Sequence, residues 1–498
     1  MNLAAIIDPH PGDAVALVSR GHQTTYGQLR QQVAGLRGGL VGAGLVPGDR
    51  LALLAANNWY FVVSYLAALS AGLVVVPLNP LAPAPELTGE LAVTGARAVV
   101  VTPAAAAAFA AIDRSDLPEL EIVIETAGVD LAGGVVLDDL VAGDATTPVV
   151  ARDDGDLALL MFTSGTVGSP RAAMLSHGNL RSNLEQIQSG RDQVQGADDV
   201  VFGLLPLFHI FGLNVVLNLS LMAGSRVLLI ERFDPSSAIE AIERHRVTMI
   251  SGPPTLWSAL AEQPGVSAGP FASVRTAVSG AAKLAPEVAA QVSARLGLEL
   301  SEGYGLTETS AGVSASAGTA APVGSIGSVL PGVELRLVDA DGSDALVGDS
   351  GEIWVRGPNV FSGYWNDPAA TATALTADGW LRTGDIGVVD DDGFVYLVDR
   401  AKDLIIVSGF NVYPAEVEDV LIEHPAVADA AVIGVPHPHT GEAVKAYVVV
   451  EPGTSVDEDD IIEFCLGRLA RYKCPSKVMF VDDLPHNVTG KLLRRSLR

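Results

Sequence analysis

The sequence predicts an α/β protein. A large N-terminal part is built of two α/β subdomains and a β-rich subdomain, and a small α+β C-terminal domain follows. Three observations predict this. Helical and strand patterns alternate through the first part of the chain, which implies crossover units and parallel pairing. Residues 323–398 turn rich in Gly, Asp and Val, with hairpin-like strands bracketed by Val323-Gly324-Ser325-Ile326-Gly327 and Gly351-Glu352-Ile353-Trp354. A charged cluster, Asp399-Arg400-Ala401-Lys402-Asp403, then precedes a stretch of small-domain length. The boundary is placed there, giving domains 1–399 and 400–498.

Composition bounds the function. The chain has 498 residues, 49% hydrophobic and only 5% aromatic, so its core is mostly Ala, Val, Leu and Ile. The net charge of −27 repels nucleic acid and anionic surfaces. Positive charge is concentrated late, with eight Lys/Arg against three Asp/Glu in residues 461–498. Two cysteines, Cys465 and Cys474, make no metal or disulfide framework and point to a reducing compartment. The start, Met1–Asp8, has neither the basic region nor the apolar core of a secretory leader. A cytoplasmic location is therefore expected.

The elements follow in order. Thr25 is placed to cap a helix whose face carries Leu29, Val33, Leu36 and Leu40. Gly42, Gly44 and Pro47-Gly48-Asp49 end it. A strand starts at Arg50, residues 57–71 read as a helix, and Leu73–Pro77 as a second strand. Residues 104–111, rich in alanine, read as a surface helix. Phe61–Leu78 and Val201–Ile230 resemble membrane spans in hydropathy. Their internal Pro, Gly, Asn, His and Arg residues fit a buried helix and strand better. No transmembrane span is expected, although a peripheral membrane contact and a homodimer both remain open.

The most informative stretch is 162–179. The apolar run Leu157–Met161 reads as a buried strand. Behind it come Thr163, Ser164, Gly165, Thr166, Gly168 and Ser169, then Arg171. Small hydroxyl and glycine residues let backbone N–H groups surround phosphate oxygens, and Arg171 adds a fork of donors. The same run would also serve as a polar surface turn. The spacing does not fit Gly-x-x-x-x-Gly-Lys-Ser/Thr. Residues 176–189 then read as a helix. Leu204–Gly212 brings His209 to a strand–helix corner, where it is either a packed histidine or a site residue. Val274–Pro286 is a strand leading into Ser279, Gly280, Ala281 and Ala282, small enough for a flat ring or acyl chain to approach. A tight helix–sheet contact would use the same residues.

Residues 301–309 are Ser-Glu-Gly-Tyr-Gly-Leu-Thr-Glu-Thr. Tyr304 offers a face to a base, Thr307 a donor to phosphate, and Glu308 a ligand for Mg²⁺. Asp385, in Trp380-Leu381-Arg382-Thr383-Gly384-Asp385, can accept two vicinal hydroxyls or merely cap a turn. The tail carries Thr489-Gly490-Lys491.

Taken together, these stretches resemble the adenylate-forming superfamily of acyl-CoA synthetases, peptide-synthetase adenylation domains and luciferases. The first loop is similar to Thr/Ser-Ser-Gly-Thr-Thr-Gly-x-Pro-Lys-Gly, with departures at Val167, Arg171 and Ala172. The resemblance spans nearly the whole chain and most favours the acyl-CoA synthetase, fatty-acid–CoA ligase branch. It implies ATP, Mg²⁺ and coenzyme A. It also implies nucleotide contacts from the 163–171 loop, Gly280, Ala281, Glu302, Gly303 and Tyr304. Glu308 would hold magnesium, Asp385 the ribose, and Arg400 its partner. Lys402 would be the hinge of a mobile C-terminal domain, with Gly409 on a loop that enters the site. His209 would border the carboxylate pocket as a positional residue. Lys491 would be the catalytic lysine, acting with Thr307 and Glu308.

For the acid, Ile210, Phe211, Val215, Gly280, Ala281 and Gly312 are the expected pocket residues. All are apolar or small, and no Asp stands out to hold an amino group. This favours a fatty or aryl acid over an amino acid, and a fatty acid over an aryl one. Three functions are weighed: an acyl-CoA ligase, a stand-alone adenylating enzyme that loads a carrier protein or uses oxygen, and a non-catalytic binding relative. Intact Glu308, Asp385, Arg400 and Lys491 argue against the third.

Overall fold

The computed structural model describes residues 1–163, 170–189, 195–282, 284, 286–339, 342–349, 351–400, 405–412, 414–484 and 497. Among these, the chain forms four sheets. The first has seven strands. Its centre, Ala98–Val101, Arg50–Leu54, Val74–Pro77 and Leu157–Thr163, is parallel. These strands are near-continuous apolar runs because helices cover both faces. The expected helix is Tyr26–Gly42, with Thr25 accepting from the Gln28 N–H in a reciprocal capping box. The first membrane-like stretch is the helix Trp59–Ser70, buried from Phe61 onward, followed by Val74–Pro77. Among the described residues no helix is long and apolar enough to cross a membrane. The alanine-rich helix, Pro103–Ala110, buries only Ala105 and Phe109.

The second sheet has nine strands, with a parallel centre that includes Val200–Gly203, Met249–Gly252, Thr276–Ser279 and Leu300–Tyr304. The second membrane-like stretch crosses it as a strand, a wide π-helical segment Phe211–Asn218, the turn of helix Leu219–Ala223, and the strand Arg226–Leu229. Its two asparagines have buried work. Asn214 Nδ2 donates to the Ser310 carbonyl at 2.9 Å, and Asn218 Nδ2 donates to Tyr65 Oη at 2.9 Å. Polar residues inside this apolar run therefore tie its elements to neighbours.

The Gly/Asp-rich region is a four-stranded antiparallel sheet: Glu334–Val338, Gly351–Arg356, Leu381–Val389 and Val395–Arg400. The last sheet begins at Ile405–Val407 and adds Phe410–Val412, Val427–His437, Gly441–Val450 and Lys477–Phe480. Helices Pro414–Ile422 and Glu458–Leu466 close a separate core around Val417, Leu421, Val432, Val448 and Ile461. Cys465 and Cys474 are free and buried there, and burial pushes both thiols up to about 12.

One strand differs from the sequence expectation, and another lies in a stretch for which none was stated. Arg171–Ser176 is an antiparallel strand paired with Leu157–Thr163, so the phosphate-loop candidate joins two strands of one hairpin. Lys477–Phe480 pairs in parallel with Gly441–Val450. Neither Arg-Ala-Ala-Met-Leu-Ser nor Lys-Val-Met-Phe alternates polar with apolar residues, so no period of two marks them as strands.

Candidate active site

The C-terminal ends of the parallel strands in the second sheet open onto two adjoining cavities. The first, of about 1200 Å³, is bordered by Thr163, Arg171, His209, Thr307, Glu308, Asp385 and Phe410. The second, of about 840 Å³, is bordered by Ile210, Phe211, Val215, Gly280, Ala281, Glu302, Gly303, Tyr304 and Gly312. His209, Leu306 and Thr307 lie on both, so these residues mark where the two cavities meet. Residues from the first sheet, the second sheet, the antiparallel sheet and the small terminal sheet thus converge on one place. Ser164, Gly165, Thr166, Gly168, Lys402 and Lys491 lie outside the described residues. Arg400 is described as backbone alone, paired with Asp385 across the sheet.

Asp385 is 6% exposed and accepts the Tyr304 hydroxyl proton at 2.8 Å. Its own N–H donates to Thr383 Oγ1 at 3.1 Å. One bond therefore ties the Tyr304 ring to the Asp385 carboxylate, although 81 positions separate them. Glu308 sits in a 3₁₀ turn, Thr307–Thr309, and its Oε1 accepts from Tyr364 Oη at 2.7 Å.

Arg171 is not on the loop, as the sequence reading had it. It opens the strand Arg171–Ser176, where its Nε donates to Asp367 Oδ2 at 3.0 Å. Its guanidinium carbon stands 5.9 Å from the Tyr364 ring centroid. A planar cation is held by one carboxylate and lies over an aromatic ring. Tyr364 and Asp367 escaped the sequence reading. They stand beside Gly363-Tyr364-Trp365-Asn366, a stretch whose turn character hid its contact with Glu308. We expect Arg171→Lys to keep steady-state activity within about threefold, because an ammonium can still meet Asp367 and a phosphate. Initial rates at varied ATP check this, and a dead variant would show that the planar fork is required.

His209 precedes the π-helical segment, and its backbone N–H donates to the Pro206 carbonyl at 3.0 Å. Its Nδ1 accepts from the Phe211 N–H at 3.3 Å. Surrounding protein pushes its pKa down to about 4, because burial disfavours the cation. The ring is therefore neutral near pH 7, which fits a positional residue better than a proton carrier. The wall around it holds strained backbone: Ala281, Ser310 and Ala311 have φ of 66°, 56° and 101°. Non-glycine residues rarely adopt these angles, and such strain gathers at functional sites.

The second cavity runs down one face of the sheet. Val201, Met249, Ser251, Thr276 and Val278 alternate on that face, and Phe211, Val215 and Leu219 oppose them from the helical side. From Gly280 to Thr276 is four residues of strand, or about 13 Å. All six residues expected to line the acid pocket border this cavity.

Open α/β sheets bind ligands in the crevice at the carboxyl ends of their strands, and here a second small domain reaches that crevice. The family model described as AMP-binding enzyme matches residues 4–365, and that of the AMP-binding enzyme C-terminal domain matches residues 416–491. The chain belongs to the AMP-binding enzyme family. A feruloyl-CoA synthase from Amycolatopsis sp. is 39% identical over 99% of this chain and 96% of its own. A long-chain-fatty-acid–CoA ligase from Bacillus subtilis is 34% identical over 97% of this chain and 91% of its own. Among solved structures, the amide bond synthetase McbA from Marinactinospora thermotolerans superposes with a TM-score of 0.89 at 34% identity, covering 100% of this chain and 99% of that one. Within the family, the chain groups with the acyl-CoA synthetases.

Proposed function

We propose that the protein joins an apolar aryl carboxylic acid to coenzyme A by way of an acyl-adenylate. The carboxylate attacks the α-phosphorus of ATP, the bond to pyrophosphate breaks, and acyl-AMP forms. The CoA thiol then attacks the acyl carbon, AMP leaves, and the thiol proton goes to solvent. A free carboxylate cannot expel oxide, whereas acyl-AMP expels AMP readily. The first step brings anions together, so charge neutralisation is the main demand on the protein.

The chain's own residues meet that demand as follows. Tyr304 and Asp385 orient base and ribose. Arg171 and Thr307 face the phosphates, and the Ser/Thr/Gly residues after Thr163 would add backbone donors. Glu308 is the residue that fits Mg²⁺. Among the described residues no cluster of three metal-ligating side chains exists. A single carboxylate near substrate phosphates is how magnesium is commonly held. When bound, the ion would neutralise phosphate charge. Lys491, from the small domain, would approach the carboxylate and α-phosphate during adenylation. The domain boundary near residue 400, and rotation about Lys402 between the two half-reactions, belong to this reading.

One observation carries the choice of acid. The Phe211 ring packs against the Gly280 backbone so closely that an added Cβ would lie 3.0 Å from Phe211 Cε1. The Phe211 ring and the Gly280 backbone are thus in contact along one side of a slot in the second cavity, which Ser251 and Thr276 also border. A planar acid with a distal oxygen fits such a slot. The sequence alone favoured a fatty acid, and the largely apolar wall of Val201, Met249, Val278 and Leu330 supports that second reading.

A panel of linear acids from C2 to C18 beside benzoates and hydroxycinnamates decides between them by kcat/KM. Hydroxycinnamates should lead, and a linear acid leading by tenfold would overturn the aryl reading. We also expect Gly280→Ala to press the Phe211 ring into the slot. It should lower kcat/KM for aryl acids about tenfold, with linear acids losing less.

A further inference from the structure

The small terminal sheet reaches both cavities, with Phe410 on the first and Ile406, Gly409, Gly441 and Glu442 on the second. Strands Ile405–Val407 and Phe410–Val412 are joined by Ser408 and Gly409, with φ of 52° and 84°. Two left-handed residues in succession make a tight turn whose twist suits a hairpin. A Cβ on Gly409 would lie 3.2 Å from Pro253 Cβ and 3.5 Å from Ala281 Cβ, so the turn is seated on the cavity wall. The next residue, Phe410, is held on two sides. Its ring stacks on Tyr472 at 4.4 Å and 26° and faces Phe208 at 6.4 Å and 14°. It meets His209 edge-on at 6.3 Å.

Behind Tyr472 is a buried charge. Lys473 is 6% exposed, and its Nζ donates to Glu86 Oε1 at 2.9 Å and Glu416 Oε1 at 2.7 Å. Glu86 Oε2 accepts the Ala470 N–H at 2.7 Å. Glu86 belongs to the helix Ala84–Thr94 of the N-terminal part, whereas Ala470, Lys473 and Glu416 belong to the C-terminal part. Glu90, one turn further on, is buried with Oε2 lacking a partner among the described residues. Burial raises Glu90 well above the usual carboxylate range, with the neighbouring Glu86 adding to it.

A buried ammonium and a buried carboxylate are each costly alone, and removing one partner is more harmful than replacing both. The bonds from Glu86 to Lys473 and to the Ala470 N–H form only where the two parts meet. The cluster therefore favours one arrangement of the two parts over every other, namely that with Phe410 against His209.

We infer that Glu86, with Lys473 and Glu416, is a positioning clamp. It holds the small domain, through the Tyr472–Phe410–Phe208 stack, in the arrangement that transfers the acyl group to CoA. It takes no part in adenylation. This inference rests on the two-arrangement reading above. Glu86→Gln and Lys473→Met are each compared with wild type in three measurements. Thioester formation from supplied acyl-AMP and CoA should fall tenfold or more. Pyrophosphate release without CoA should stay within about twofold. Hydrogen exchange at the Ile405–Val412 amides should speed up in both variants. The double variant should lose no more than the worse single one, since the partners act as a unit. Equal loss in both half-reactions, or no loss in either, would overturn the clamp. So would unchanged exchange, whatever acid is used. A wild-type enzyme that releases no pyrophosphate with any acid would instead overturn the reading of the reaction, leaving exchange to decide the clamp.

Discussion

Lys491→Ala should abolish adenylate formation while leaving the second half-reaction largely intact. The loss in acid-dependent pyrophosphate release should be on the order of a thousandfold, as expected when a fixed charge is removed from a developing anionic centre. The reasoning is electrostatic. Carboxylate and triphosphate repel one another, and Arg171 is already shared with Asp367. In the proposed mechanism, a lysine delivered from the second domain supplies charge only when adenylation needs it. Supplied acyl-AMP should still react with CoA at close to the wild-type rate, because in the proposed mechanism Lys491 has left the site before the thiol attacks. Rapid-quench measurement of the two half-reactions separates the outcomes. Equal losses would contradict a lysine that serves one step.

Asp385→Ala should raise the KM for ATP and lower kcat/KM by about a hundredfold. Two effects combine. The ribose loses a charged acceptor worth about 1.5–3 kcal/mol. Tyr304, 7% exposed, loses the acceptor of its hydroxyl, so the ring is no longer fixed beside the base. Asp385→Asn should cost about tenfold, since its amide oxygen can still accept from Tyr304. Saturation curves for ATP and for the acid check this, with acid KM changing little. A matching rise in acid KM would place Asp385 in the wrong subsite.

The fold was legible where residues carry strong periodicity or caps. Thr25 with Leu29, Val33, Leu36 and Leu40 defined a helix, and the structure adds only the reciprocal bond from Gln28. The apolar strands of both parallel sheets were legible for the same reason. The strand opened by Arg171 was not, because a hairpin across a Ser/Thr/Gly loop has no period that separates it from the loop. Thr307, Glu308 and Asp385 stood out because they lie in short motifs, and the structure brings them to one cavity. Its couplings were not. Tyr304 with Asp385, Glu308 with Tyr364, and Lys473 with Glu86 each join residues far apart in the chain. Such contacts exist only once separate sheets are packed. The strain at Ala281, Ser310 and Ala311 was equally hidden, since ordinary residue types there adopt uncommon angles.

The account's central claim is that activation and thioester formation are two steps at one site. Its most direct measurement is acid-dependent pyrophosphate release with and without CoA, with the acyl product identified by mass. One equivalent of acyl-AMP per enzyme should form in the absence of CoA, and its acyl group should pass to CoA on addition of the thiol. Thioester formation with no acyl-AMP beforehand, or with ADP and phosphate as products, would contradict the account.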